Sequence, residues 1–309
     1  MQRYIIQRHY VGDEQDLEFL ERNIETLWQA IETTEYKGWN MDFGLKLTID
    51  YERLPSGIAK RLMDVIVNYA EILDPHKTLS DPIRVDMQDR GPRVMETMFG
   101  LESFFDPNCI IANPDMDQYV LDEEGLERIE EIFARMETDG CLYGIGSRDV
   151  PVVLAHHPDN SRFREIHELF HSLFIGSNIL RVEPTHPNAS PAFAEIGESS
   201  GLCMINRTHP KYKILKELVQ KFAKVADFTK WAPEYYMAMR ASTLGAIATG
   251  YVKCVQNPTQ ETDVLTEKMR IERIIRKESQ ALGETDIGEA LFTSTQMLQH
   301  EDILAEFYN

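Results

Sequence analysis

One five-residue run constrains this chain more than any other feature: His167-Glu168-Leu169-Phe170-His171. Two histidines four positions apart on a helix stand one turn above each other, so both imidazoles reach one metal ion. A glutamate between them can then address a metal-bound water. The flanks support a helix: Asp159-Asn160-Ser161 after Pro158 is a start cluster and Gly176 a stop. Phe163, Ile166, His167, Phe170, His171 and Phe174 recur at i, i+3, i+4, i+7, which places both histidines on the apolar stripe. Two imidazoles and a carboxylate are costly to bury without a strong partner, and a divalent cation is one.

The rest of the composition sets broad limits. At 309 residues, 43% hydrophobic and 27% charged, the chain is an ordinary globular sequence of one large or two modest domains. It has no apolar run of membrane-spanning length. Its first residues, Met1-Gln2-Arg3-Tyr4-Ile5-Ile6-Gln7-Arg8-His9, lack the apolar core of a secretory leader. Cys109, Cys141, Cys203 and Cys254 are scattered, which fits reduced thiols in the cytoplasm. A net charge of −19 argues against general nucleic-acid binding, which needs a basic surface. The expected partner is a protein or peptide, with neither nucleic acid nor membrane; nothing in the sequence sets the oligomeric state.

Periodicity predicts helices over 13–35, 56–73 and 122–138, a strand over 43–51 and irregular chain over 80–118. Pro151-Val152-Val153-Leu154-Ala155 reads as a short strand before the motif helix. A proline-rich loop follows over 177–190, and Ser190-Pro191 opens a new helix. Further helices are expected over 208–226, 233–255, 262–282 and 285–306. The expected class is α+β: a zincin-like core with a short strand before the motif helix and a mostly helical C-terminal half. It divides into a mixed α/β region over 1–115, for recognition or inhibition, and a catalytic domain over 116–309.

Catalytic zinc takes three protein ligands and leaves one position for water. A third histidine in H-E-x-x-H-x-x-G-x-x-H is excluded, because the required glycine and histidine are missing after His171. Phe193-Ala194-Glu195-Ile196-Gly197-Glu198 offers Glu195, 24 positions after His171, and Glu198 three further on. The combination resembles the gluzincin class of zinc metallopeptidases, in which H-E-x-x-H is followed by a helix bearing a glutamate ligand. The Phe-x-Glu setting is similar to that of the angiotensin-converting-enzyme-like and thimet-oligopeptidase-like families. Residues 162–171 also resemble the small H-E-x-x-H domain of bacterial proteases that cleave repressors, though Phe170 stands where that family has glycine.

The resemblance implies that His167, His171 and Glu195, or alternatively Glu198, hold Zn²⁺. Ser199 falls where a polar side chain supports a motif histidine. Glu168 would be the general base that activates water for peptide hydrolysis. Tyr235, Tyr236 and Arg240 would be the candidates to stabilise the oxyanion. His156, His157, His186 and His209 remain alternative ligands or donors. Two other readings stay open: a catalytically silent zincin-fold regulatory protein, and a deformylase-like metal amidohydrolase using Cys141 in Gly140-Cys141-Leu142.

Overall fold

A computed structural model describes residues 1–50, 54–74, 83–87, 108–114, 121–147, 178–182, 202–225 and 233–252. They form one eight-stranded sheet with helices against it. The strands are β1 (Gln2–Val11), β2 (Met41–Ile49), β3 (Ile83–Met87), β4 (Cys109–Pro114), β5 (Tyr143–Ser147), β6 (Ile179–Val182), β7 (Leu202–Asn206) and β8 (Ile247–Tyr251). The helices are α1 (Glu14–Lys37), α2 (Ala59–Leu73), α3 (Glu123–Asp139), α4 (Tyr212–Val225) and α5 (Pro233–Leu244). The strand order is β3-β2-β1-β4-β7-β5-β8-β6. All ladders are parallel except the two that β7 makes with β4 and β5.

Local chemistry sets the helix ends. Asp13 caps α1 by accepting from the Asp16 amide at 3.0 Å, and Gly38 closes it with φ 69. Asp122 caps α3 through the Gly125 amide at 2.8 Å, and Gly140 closes it with φ 62. Both closing glycines hold a left-handed backbone that a side chain would strain.

Helices α1, α2 and α3 cover one face of the sheet. Ile5 and Val11 of β1, the alternate residues Met41 to Ile49 of β2, and Ile110 and Ala112 of β4 pack there against Leu20, Leu27, Val65, Ile129 and Phe133. Arg3 ties the first strand to α3. Its guanidinium reaches Glu137 through two nitrogens, at 3.1 and 2.9 Å, and Glu130 at 2.7 Å.

Helix α3 approaches β5 and β8 over a strip of small residues. Gly144 stands beside Ala248 in register and Gly146 beside Gly250. A Cβ on Gly144 would lie 2.6 Å from Met136 Sδ and 3.1 Å from Met204 Cβ; one on Gly250 would lie 2.9 Å from Ile132 Cγ1.

The fold corrects the expected class. It is α/β, built on a mostly parallel sheet, not an α+β zincin-like core. The expected helical C-terminal half instead supplies β5, β6, β7 and β8. The helix expected over 233–255 stops at Leu244, and the chain turns through Gly245 into β8. The stretch expected to be irregular over 80–118 contains β3 and β4. The expected strand 151–155, the motif helix and the helix at Ser190-Pro191 lie outside the described residues, as do the expected helices 262–282 and 285–306.

Valine at Gly144 must displace both Met136 and the root of Met204. Gly144→Val should therefore lower stability by about 1–3 kcal/mol, read as a shifted urea midpoint. An unchanged midpoint would show that α3 does not rest on the glycine strip.

Candidate functional site at the fork between β1 and β4

The chain runs from β1 through α1 to β2 and through α2 to β3, always to one side of β1. It then returns to the other side for β4. This reversal is a topological switch point, and in open α/β sheets ligands bind outside the carboxyl ends of the strands there. The register shows that the sheet opens at this place. β1 pairs with β2 along nearly its whole length, to Val11↔Ile49, but with β4 only as far as Ile5↔Ala112. Beyond Ala112, β4 stays with β7 through Asn113↔Cys203 and Pro114↔Leu202. From Ile6 onward β1 has no ladder partner in β4.

Two amides stand at this fork. Asn113, with no exposed surface, donates from Nδ2 to the Ile6 carbonyl at 2.7 Å and so bridges the parted strands. Its Oδ1 has no hydrogen-bond partner. Gln7, 1% exposed, has no partner for either Nε2 or Oε1. A buried amide left unbonded costs about 1–3 kcal/mol, and such groups are uncommon enough in folded proteins to mark a place of interest.

The carboxyl ends of β1 and β2 are tied by polar contacts. The Asp50 amide donates to the Val11 carbonyl at 3.0 Å, and the Tyr10 hydroxyl donates to Asp50 Oδ2 at 2.7 Å. A Cβ at position 12 would meet the Tyr10 ring, 2.7 Å from its hydroxyl, so a side chain there would have to displace that ring. On the face turned away from α1, Arg8 and Lys46 stand side by side in register, as do Tyr10 and Thr48. Arg8, Lys46, Thr48 and Asp50 are all buried. This is a charged layer; on the other face Gln7 and His9 sit among the apolar residues Ile5 and Val11.

The start of α1 already carries carboxylates. The Gly12 amide, just before the helix, donates to Asp16 Oδ2 at 2.9 Å, and the Asp16 amide in the first turn donates to Asp13 Oδ1, so an anion there would meet two acidic side chains. After Pro114, the end of β4, the chain continues as Asp115-Met116-Asp117, outside the described residues.

His167, Glu168, His171, Glu195 and Glu198 also lie outside the described residues, as do Ser199, His156, His157 and His186. Among the described residues no group of three histidine, cysteine, aspartate or glutamate side chains could hold a metal. Tyr235 and Tyr236 fall in the first turn of α5. Arg240 is buried on the same helix. His209 is a turn residue, with Nδ1 accepting from the Lys211 amide at 3.1 Å. Its pKa is lowered by burial and by the Lys211 charge. Cys141 is buried just past α3, and burial with the nearby Asp139 charge pushes its thiol up to about 11. That suits a core side chain rather than the thiolate ligand of a deformylase-like site.

No family model and no curated protein matches the sequence. Solved structures that it resembles include a 4-diphosphocytidyl-2C-methyl-D-erythritol synthase from Anaerococcus prevotii, at 9% identity over 88% of this chain and 98% of that one, with a TM-score of 0.39. The galactosyltransferase LgtC is similar at 11% identity over 79% and 72%, with a TM-score of 0.31. Mouse xyloside xylosyltransferase 1 is similar at 13% over 80% and 84%, with a TM-score of 0.32. With the α/β sheet in place of a zincin core, the expected zinc metallopeptidase and its silent-zincin and deformylase-like variants are set aside. No described helix is long and apolar enough to cross a membrane.

Gln7 gives a direct test of the fork. Leucine in its place removes an unbonded buried amide, so Gln7→Leu should raise the stability of the ligand-free protein by about 1 kcal/mol in urea unfolding. Loss of stability would mean that the amide is satisfied in solution.

Proposed function

We propose that the fork between β1 and β4 binds the diphosphate-bearing part of a nucleotide together with a divalent cation. The chain would then be a transferase that moves a group from such a nucleotide to an acceptor. The observation that carries this reading is the parting of β1 and β4 beyond Ile5↔Ala112 at the switch point of an open α/β sheet.

The surroundings narrow the chemistry. No glycine-rich turn follows β1, and the Gly12 and Asp16 amides at the start of α1 hold carboxylates, which disfavours a dinucleotide held on a helix N-terminus. A diphosphate at this end of the sheet needs positive charge from elsewhere. Asp115 and Asp117, following β4 directly in the chain, are hard oxygen donors of the kind that hold Mg²⁺ or Mn²⁺ beside a phosphate. The cation would neutralise charge on the departing diphosphate. Arg8 and Lys46 add two buried positive charges on β1 and β2. The unbonded Gln7 amide and the free Asn113 Oδ1 supply a donor and acceptors with which a polar ligand can be oriented.

Calorimetric titration of the metal-stripped protein with CDP, UDP, ADP and GDP, each with and without Mn²⁺, tests the reading. At least one nucleotide should bind with the cation present. Its affinity should fall at least tenfold in excess EDTA and in the Asp115→Asn/Asp117→Asn variant. Binding that ignores both changes removes the cation from the proposal, and no binding by any of the four nucleotides defeats it.

A further inference from the structure

Away from the fork, α1 and α2 meet on their solvent side in a groove with a cavity volume of about 550 Å³. Two stripes at helical spacing line it: Glu21, Ile24, Glu25 and Trp28 on α1 face Arg61, Asp64, Val65 and Ile72 on α2. Ile24, Val65 and Ile72 make an apolar floor continuous with the core. Trp28 forms the wall and is 47% exposed, unusual for the largest apolar side chain. From Arg61 to Ile72 the α2 stripe runs eleven residues, about 16 Å or three turns of helix.

The rim is unbalanced in charge. Arg61 is taken up by Glu21 and by Glu14. Among the described residues Glu25 and Asp64 have no cation against them, although both line the groove. An apolar floor, an exposed indole and two open carboxylates are complementary to one kind of surface. That surface is a helix with apolar residues at i, i+3 or i+4 flanked by lysine or arginine, the helix-in-groove mode of recognition. The cation of such a helix can also stack on the Trp28 indole. A second copy of this chain is a poor occupant, since its net charge is −19.

We infer that the α1–α2 groove is a docking surface for a basic amphipathic helix of a partner protein. The inference does not depend on the nucleotide reading.

A fluorescently labelled leucine–lysine helix of about three to four turns serves as the probe, read by anisotropy against the full chain. Binding should weaken at least tenfold in Trp28→Ala and in Glu25→Gln/Asp64→Asn. It should be unchanged in Glu32→Gln/Glu35→Gln, which removes the same charge from α1 outside the groove. A leucine–glutamate version of the probe should not bind. Circular-dichroism melts check that each variant keeps its fold; should Trp28→Ala fail, Trp28→Gln at the same half-exposed position replaces it. Equal weakening by the two charge pairs would reduce the effect to general attraction, and absence of binding would overturn the inference.

Discussion

The pairing of β1 governs the rest of the molecule. This strand lies inside the sheet, takes β2 along nearly its whole length and takes β4 along less than half of it. The first pairing fixes which residues of β2 face the helices. Through Leu45↔Ile83 to Ile49↔Met87 it also fixes the register of β3. The second stops at Ile5↔Ala112 and so creates the opening. A one-residue slip in either would carry Ile5 and Val11 to the polar face and Arg8 into the apolar one. Arg3, at the start of the strand, is held by two glutamates of α3, which anchors that register at its other end. Fold and site thus rest on the same ladder.

The helices were legible in the sequence, because an amphipathic surface helix writes its apolar stripe at a period the reader can count. The helix expected over 13–35 is α1 at Glu14–Lys37, that over 56–73 is α2 at Ala59–Leu73, and that over 122–138 is α3 at Glu123–Asp139. Most strands were not legible. β1 reads Gln2-Arg3-Tyr4-Ile5-Ile6-Gln7-Arg8-His9, with polar residues on both faces: Arg8 lies in the buried charged layer, while Arg3, Gln7 and His9 fall on the helix-facing side. In β5 and β8 the glycines that admit α3 erase the side chains that alternation would need. Parallel strands covered on both faces lack the clean in-and-out pattern of a half-exposed sheet.

The candidate site was hidden for a different reason. It is assembled from the end of β1 near residue 11 and the end of β4 near residue 114, about a hundred positions apart in the chain. No local pattern joins them. Asp115-Met116-Asp117 is visible as a pair of carboxylates, but it has meaning only once Cys109–Pro114 is known to be a strand beside β1. The unbonded Gln7 amide and Asn113 Oδ1 are visible only in three dimensions. The histidine pair of H-E-x-x-H was the opposite case, complete within five residues. A short motif speaks for local geometry, and the sheet around it decides whether the surrounding fold is the one the motif implies.

Charge gives the last constraint. A chain of net charge −19 that takes up a diphosphate must overcome repulsion both at long range and at the site. At an effective dielectric of about 20, a phosphate and a carboxylate about 5 Å apart repel by roughly 3 kcal/mol. Two backbone amides near the site, those of Gly12 and Asp16, hold carboxylates rather than offsetting such repulsion. Placing more carboxylates just past β4 worsens the repulsion in the absence of a cation and reverses it in the presence of one, since a divalent ion attracts both the carboxylates and the phosphates. On the proposed reading, the chain's acidity would thereby make nucleotide uptake conditional on the metal. Affinity without it would be weak because of the protein's own charges, with no separate gating element required.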